Sequence, residues 1–443
     1  MARSARRPGR QAQVAGLLVA ALALACASVG APPGGPPDKE PPKIVQVKPE
    51  SGAVVPSFKG AAAIQFNEVI NEMGGAGGGG GGGGGSAGVD GLARLILLSP
   101  VAGAVKADWH RTRVTIKPKE GWKRRVYRLE ILPGFTDLRN NRSDSGKIVL
   151  FSTGPEIGHA RIGGIALKWI EQTILLRALI EAVPLPDSVG YLTMADSGGQ
   201  FNLTNLQPGR YIVYATADEN NDRRRGLRES YDSVVVTLDS STNVVLFTFP
   251  HDTVPPRPRG ATVLDSISVR VEFSQALDPA KALDTTHVRV LELPDSTAVA
   301  IDRILMQRQF DSLSMAAAAV RQKAESAAAA VRDTAKRQPP APPAPPAPPA
   351  PPAPPSPRAA AGRAPAKSPV DTTLVRQLLA QRPIPSDRIV IRLVHPVKPE
   401  TRYVVRITGA TNLIEKKGDG DVGFTVPKPA APDSTRRPRR PPS

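Results

Sequence analysis

Cys26 is the chain's one thiol, so no intramolecular disulfide can form. It follows an arginine-rich stretch, residues 1–10, and an almost wholly apolar run, residues 13–25, and small residues surround it. These are the three parts of a secretory signal peptide, and the apolar run is short for a helix that spans a bilayer. The pattern predicts a signal peptide over residues 1–25, although a lone cysteine can also be a small buried apolar residue.

Oxygen-bearing side chains recur at positions 1, 3, 5 and 12 of a stretch near the middle of the chain: Asp218, Asn220, Asp222 and Glu229. This is the ligand spacing of a calcium loop, and Ca²⁺ takes six to eight oxygens. Arg223 stands where an EF-hand loop needs glycine, and further arginines follow it. The alternative is a solvated turn whose carboxylates pair with those arginines. Calcium is the one cofactor that the sequence suggests.

No pattern in the chain predicts catalysis. The five histidines are scattered: His110, His159, His251, His287 and His395. Neither a zinc-binding spacing nor a G-x-S-x-G turn is present. The sequence therefore predicts a protein that is not an enzyme. A carboxylate pair that meets only in the folded chain, such as Glu68 and Asp137, would escape this kind of search.

The segment Ala23-Leu24-Ala25-Cys26 resembles the signal of bacterial lipoproteins, in which the cysteine is lipidated and becomes the new N-terminus. It departs from that pattern because Leu22 and Leu24 flank the place where the family has leucine. The resemblance implies membrane lipid as a partner and an outer-membrane or cell-surface location. An ordinary signal peptide cleaved nearby remains the alternative. Residues 26–42 are rich in proline and glycine and read as a tether.

After the tether, short runs rich in Val, Ile, Leu and Phe alternate with turn residues, which is typical of an all-β sandwich. Five features recur in one order in the two halves, which predicts an internal repeat. The first copy has Ala63–Phe66, Arg113–Lys117, Tyr127–Ile131, Asp137-Leu138 and Phe151. The second has Val269–Phe273, Arg388–Arg392, Tyr403–Ile407, Asn412-Leu413 and Phe424. The side chains of Asp137 and Asn412 can each form hydrogen bonds with the nearby backbone, which suits a tight connection between strands.

Residues 43–155 resemble the bacterial Ig-like domain of the SbsA type, on Phe66-Asn67-Glu68, Trp109 and the turn that starts at Asp137. Residues 257–427 resemble it more weakly, without a counterpart of Trp109. Between them, residues 158–250 resemble the prealbumin-like, or carboxypeptidase-regulatory-like, sandwich, on the pattern from Phe201 to Tyr211. The Pro208-Gly209 turn within that pattern predicts a hairpin. These resemblances imply scaffold, spacer or binding modules.

Two low-complexity inserts are expected within the repeat copies. Residues 74–88 are glycine-rich and read as a flexible bridge between strands. Residues 306–385 are predicted to be disordered or helical, with a helix over 315–336, where strong helix formers dominate. An Ala-Pro-Pro repeat follows at 339–357 and reads as a polyproline spacer. The expected fold is mainly β, with tandem sandwiches, these long disordered inserts and a basic proline-rich tail over 428–443.

The formal net charge of +18 admits anionic polymers or lipids as partners. Much of the charge lies in the signal and the tail, and no basic helical face or zinc finger points to nucleic acid. The sequence therefore predicts an envelope lipoprotein that is a non-catalytic scaffold, spacer or adhesion module. The alternatives are a module that binds an anionic glycan or envelope polymer, and an accessory subunit of a surface enzyme. Surface proteins are further candidate partners.

Overall fold

The computed structural model describes residues 38–72, 91–103, 105–334 and 372–428. Cys26, the signal peptide, the glycine-rich insert, the Ala-Pro-Pro repeat and nearly all of the basic tail lie outside these ranges. Short strands dominate the described chain, so the prediction of a mainly β fold is confirmed. Three separate apolar cores divide the strands into three consecutive sandwiches.

The first sandwich contains seven antiparallel strands. They are β1 (Ile44–Lys48), β2 (Ala62–Phe66), β3 (Ile96–Ser99), β4 (Val105–His110), β5 (Arg113–Pro118), β6 (Val126–Ile131) and β7 (Lys147–Ser152). One sheet has the order β1-β2-β5-β4 and the other the order β3-β6-β7. Because side chains alternate between the faces of a strand, each sheet turns one apolar row inward, where Phe66, Tyr127 and Phe151 pack.

The third sandwich repeats this topology. Its strands are β16 (Pro258–Asp265), β17 (Ser268–Leu277), β18 (Val288–Glu292), β19 (Thr297–Val299), β20 (Ile301–Met306), β21 (Ser386–Leu393), β22 (Arg402–Thr411) and β23 (Lys417–Thr425). The sheet orders are β16-β17-β21-β20 and β19-β18-β22-β23. Except for the additional edge strand β19, every strand has a counterpart at the same place in the first sandwich. The two halves therefore share one architecture, as the repeated sequence features predicted.

The connection that starts at Asp137 is also repeated. Asp137 Oδ1 accepts hydrogen bonds from the backbone N–H groups two and four residues later, both at 2.8 Å. Asn412 Oδ1 accepts from the same two relative positions, at 3.1 and 2.8 Å. Both side chains are buried. The Asx turn predicted from the sequence is confirmed in both copies.

The second sandwich is built differently. Its strands are β8 (Ala160–Lys168), β9 (Thr173–Ile174), β10 (Leu179–Pro184), β11 (Tyr191–Met194), β12 (Gln200–Leu206), β13 (Gly209–Thr216), β14 (Tyr231–Leu238) and β15 (Ser241–Thr248). One sheet has the order β11-β10-β13-β14, and the other the order β12-β8-β15 with β9 beside β8. Strand β15 runs parallel to β8.

The prediction of a hairpin at Pro208-Gly209 is wrong. Strand β12 pairs with β8, whereas β13 pairs with β10 and β14, so this turn carries the chain from one sheet to the other. Asn205 takes a positive φ of 63° at a register shift near the end of β12. Tyr211 then closes the corner, because its hydroxyl donates to Gln207 O at 2.8 Å.

Each of the other two sandwiches has the same tyrosine corner. The hydroxyl oxygen of Tyr127 accepts from Lys123 N at 2.7 Å, and that of Tyr403 accepts from Lys398 N at 3.0 Å. All three tyrosines are almost fully buried. A buried tyrosine that bonds backbone a few residues upstream is a hallmark of immunoglobulin-like sandwiches.

Two helices lie within the long insert of the third sandwich: α1 (Gln307–Thr334) and α2 (Thr372–Ala380). Helix α1 continues from β20 and covers the helix predicted at 315–336 almost to its end. Helix α2 packs on the outer face of the second sandwich, where Val375 and Leu379 contact a cluster that includes Leu167 and Phe247. In the described part of the chain, neither helix has the length and apolar character that crossing a membrane requires.

Candidate functional site

The predicted calcium ligands lie on the connection between β13 and β14, but most of their oxygens have internal partners. Asp218 Oδ2 pairs with Arg223 Nη1 at 2.8 Å, and both side chains are buried. Asn220 and Asp222 bond each other, with Asn220 Nδ2 donating to Asp222 Oδ2 at 3.0 Å. Glu229 Oε2 accepts from Gly226 N at 2.7 Å. The loop therefore has the carboxylate–arginine pairing that the sequence offered as the alternative to calcium.

Two buried oxygens of this loop, Asp218 Oδ1 and Glu229 Oε1, have no hydrogen-bond partner. They are the atoms left for a cation, and they fall well short of the six to eight oxygens that Ca²⁺ takes. Arg223 also contacts the first sandwich, where its Nε donates a hydrogen bond to Arg94 O at 3.1 Å. The loop thus also joins two sandwiches, and calcium binding stays a prediction.

A second acidic group lies at one end of the first sandwich, where the structure brings together Asp38, Glu68 and Asp137. One oxygen from each carboxylate lies within 4.8 Å of the others. Burial raises the pKa of Glu68, and the carboxylates of Asp38 and Asp137 raise it further. Sequence reasoning named Glu68 and Asp137 as a pair it could not assess, and it missed Asp38.

The third sandwich carries neutral residues at the equivalent places. Gln275 follows Phe273 as Glu68 follows Phe66, and Asn412 replaces Asp137. Asn412 Nδ2 donates to Gln275 Oε1 at 3.0 Å and to Asp252 O at 2.8 Å. An amide thus provides a donor between two acceptors in the third sandwich, whereas the first sandwich has two carboxylates there. Three carboxylates can share a proton or contribute to a cation site, but by themselves they are too few for Ca²⁺.

We expect Glu68→Gln to raise stability by about 0.5 kcal/mol at pH 7, the size of an exposed charge–charge effect. A carboxyl whose pKa is raised by folding costs nothing below its unfolded pKa of about 4.3, and the cost grows as pH rises through the folded pKa. The gain should therefore be absent near pH 4. Thermal unfolding at both pH values measures it, with exposed Glu50→Gln as the control. A gain of the same size near pH 4 would contradict this account, because the carboxyl is then largely protonated.

The first junction is the contact between the first and second sandwiches, formed by Ser99, Arg128, Glu130, Leu192 and Thr193. Leu192 N donates to Ser99 Oγ at 2.9 Å. Thr193 Oγ1 donates to Glu130 Oε2 at 2.7 Å. The same carboxylate oxygen pairs with Arg128 Nη2 at 3.3 Å. Strand β11 thus covers the outer face of the first sandwich's smaller sheet.

Arg128 is the charged group most deeply enclosed at the first junction. Its side chain is 1% exposed, and its Nη1 is buried without a hydrogen-bond partner. Burial lowers the pKa of its guanidinium, against the attraction of Glu130. The sequence pattern did not indicate this pair, because outward charges on a strand normally meet water. Only the neighbouring sandwich buries them.

A cavity of about 840 Å³ opens beside the first junction, with Glu130 among its lining residues. Its lining carries both signs of charge, since Arg142 and Arg177 stand with Asp144 and Asp196. Leu132, Met194 and other apolar groups complete the wall. The mixture defines neither an anion site nor a cation site.

No protein-family model matches the chain, and no curated protein matches it. Among solved structures it is similar to BcpA, the major pilin subunit of Bacillus cereus, at 11% identity and a TM-score of 0.16, over 47% of this chain and 70% of the pilin. The Bacillus anthracis TIE protein matches at 11% identity and a TM-score of 0.16, over 60% of this chain and 48% of that protein. Native alpha-2-macroglobulin from Escherichia coli, domains MG0-NIE-MG1, matches at 11% and 0.17, over 58% and 84%. No conclusion about the activity of this chain follows from these similarities.

Proposed function

We propose that this chain is a non-catalytic spacer or scaffold of a bacterial cell envelope, anchored through a lipidated Cys26 at the outer membrane or cell surface. The observation that carries the proposal is that both contacts between consecutive sandwiches are packed. A chain of domains on free linkers would sample many arrangements, whereas buried contacts restrict the angle between neighbours. Such a chain can hold its far end at a set distance from an anchor.

The first junction supports this reading through its buried charges. The Arg128–Glu130 pair and Thr193 make a directional contact, because the Thr193 hydroxyl must lie within hydrogen-bond distance of the Glu130 carboxylate. Arg223 adds a second tie, from the loop after β13 to the backbone of Arg94. Two polar contacts at separate places oppose rotation about a single point.

The second junction is the contact between the second and third sandwiches, formed by α2, Trp169 and the linker at His251. Trp169 Nε1 donates to Pro383 O at 3.1 Å, just after α2. The His251 ring stacks on Tyr231 with centroids 3.6 Å apart, so the linker lies against the second sandwich. Asn412 Nδ2 holds the same linker from the third sandwich, through Asp252 O. The insert of one domain and the linker thus both pack on the preceding domain.

We expect Leu379→Asp to open the second junction while the sandwiches stay folded. Leu379 is 8% exposed and belongs to the apolar cluster under α2. Burying an unpaired carboxylate there would cost several kcal/mol, so the helix should leave the second sandwich. Small-angle X-ray scattering of the full chain should show a broader distribution of interatomic distances. Gln377→Asp, which places the same charge on the exposed side of α2, is the control.

An unchanged scattering profile for folded Leu379→Asp would contradict a spacer held by this helix. A profile broadened equally by Gln377→Asp would attribute the effect to helix propensity rather than to the junction. Melting curves of both variants, compared with the parent, establish that the sandwich cores remain intact.

A further inference from the structure

The outer face of the β1-β2-β5-β4 sheet carries four Lys and Arg side chains and one acid. Successive residues of each strand alternate, so the neighbours of the buried Val114 and Ile116 face outward. Strand register sets the outward residues in rows. The rows are His110–Arg113–Gln65–Gln46, Asp108–Thr115–Ala63–Lys48 and Lys106–Lys117. We call this surface the basic face.

Two lysines lie directly opposite each other on neighbouring strands of the basic face, since Lys106 is the partner of Lys117. His110 is the partner of Arg113 in the same pair of strands. Like charges directly opposite on neighbouring strands destabilise a sheet. The face has one acid, Asp108, which pairs with Lys106 at 3.3 Å and is half exposed.

Three cations of the basic face have no ion-pair partner among the described residues: Lys48, Arg113 and Lys117. All three are exposed. Their charge is therefore available to an anionic partner.

The equivalent face of the third sandwich is partly neutralised from within, and helix α1 packs against its strands β20 and β21. There Arg388 pairs with Glu272 at 3.3 Å, Arg270 approaches the same carboxylate at 3.7 Å, and Arg303 pairs with Asp302 at 2.9 Å. Three of the four outward arginines there thus have a carboxylate partner, whereas three of the four Lys and Arg side chains of the basic face have none among the described residues. The fold by itself therefore does not require unpaired cations on this face.

We propose that the basic face docks on the surface of an anionic phospholipid bilayer. The composition of the face favours lipid over polymer, because its outward residues belong to one sheet and none of those in the described chain named above is Phe, Trp or Tyr. A surface of separate cations suits an array of headgroups, whereas chain-like glycans are bound in clefts and on aromatic rings.

The position of the first sandwich in the chain agrees with this docking. Residue 38, where the described chain starts, is 12 residues after Cys26. A chain of that length reaches at most about 40 Å, so an anchored protein would keep the basic face close to its membrane. The docking itself goes beyond the proposed anchor, since the basic face would bind headgroups without it.

The test uses the full chain with Cys26→Ser, which removes lipidation, and vesicles with and without phosphatidylglycerol. We expect sedimentation with vesicles that contain about one third phosphatidylglycerol, none with pure phosphatidylcholine, and loss of binding as salt shortens the screening length. The variant Lys48→Gln, Lys106→Gln, Arg113→Gln, Lys117→Gln should bind at least about tenfold more weakly, since each basic residue near the surface contributes roughly fivefold.

The matched control removes four cations from the equivalent face of the third sandwich: Arg270→Gln, Arg303→Gln, Arg388→Gln and Arg392→Gln. It has the same net charge as the test variant and should bind within about twofold of the parent. Equal losses in both variants would overturn the proposal, because net charge alone would then explain binding. Binding to soluble polygalacturonate but not to vesicles would overturn it in favour of a polymer site. Because lipidation is absent throughout, a failure of the anchor cannot be mistaken for a failure of the basic face.

Discussion

Cys26→Ser should release the protein from membranes and remove its acyl mass. The cysteine lies outside the described residues, so this expectation rests on the basic start, the apolar run and the small residues around the thiol. Each buried CH₂ of an acyl chain contributes about 0.8 kcal/mol, so several chains hold a protein firmly and their loss removes nearly all binding. We expect the membrane-bound share to fall to below about a tenth in high salt.

Intact mass and membrane fractionation in a bacterial host measure both effects, with Ser28→Ala as the control. High salt is essential, because the basic face proposed above would otherwise retain part of the unlipidated protein. A wild type that is soluble and carries no lipid would contradict the anchor. The single thiol would then be open to other chemistry, and a signal peptide cleaved nearby would become the better reading of residues 1–25.

Glu130→Ala should cost about 3–5 kcal/mol, the loss measured when one partner of a buried ion pair is removed. The substitution leaves the Arg128 guanidinium, 1% exposed, without its carboxylate, and it removes the acceptor of Thr193. The cost should appear in urea unfolding of the first two sandwiches together, because the carboxylate belongs to one and its hydroxyl donor to the other.

The double variant Arg128→Met, Glu130→Met distinguishes the contribution of the buried charges from that of packing at the first junction. Replacing both members of a buried pair by apolar residues is often neutral or stabilising, so most of the lost stability should return. A Glu130→Ala loss below about 1 kcal/mol would mean that water reaches Arg128 and that the first junction opens readily. A double variant as unstable as the single one would show that packing, not charge, dominates the first junction.

Local pattern was sufficient to predict strands and their recurrence in the first and third sandwiches. Alternation in segments such as Arg113–Lys117 and Arg388–Arg392 predicted strands that the structure has as β5 and β21. The ordered recurrence of those segments predicted one topology for the two halves. Strand periodicity and Asx-turn chemistry depend on neighbours along the chain, so a single sequence carries that information.

The wrong hairpin prediction shows what a local sequence pattern cannot predict. The Pro208-Gly209 turn is compatible both with a hairpin and with a crossing between sheets, since the residues of the turn are the same in each. Tyr211 favours the crossing, because its side chain is buried in the core and its hydroxyl donates to the backbone at Gln207. Burial in a core with two sheets is a tertiary property that a short segment does not determine.

By itself, the sequence determined the mainly β class, the repeat and a predicted export signal ending at Cys26, because each depends on order and spacing along the chain. Only the tertiary structure decided which charges are buried, paired or free. Asp38, Glu68 and Asp137 meet because the segment before β1 and the connections after β2 and β6 come together at one end of the first sandwich. Arg128 is enclosed because a neighbouring domain covers it, while the outward cations of β5, Arg113 and Lys117, are exposed in the part of the chain that the structure describes. The energy of a charge depends on its solvent exposure and on the charges around it, and folding sets both.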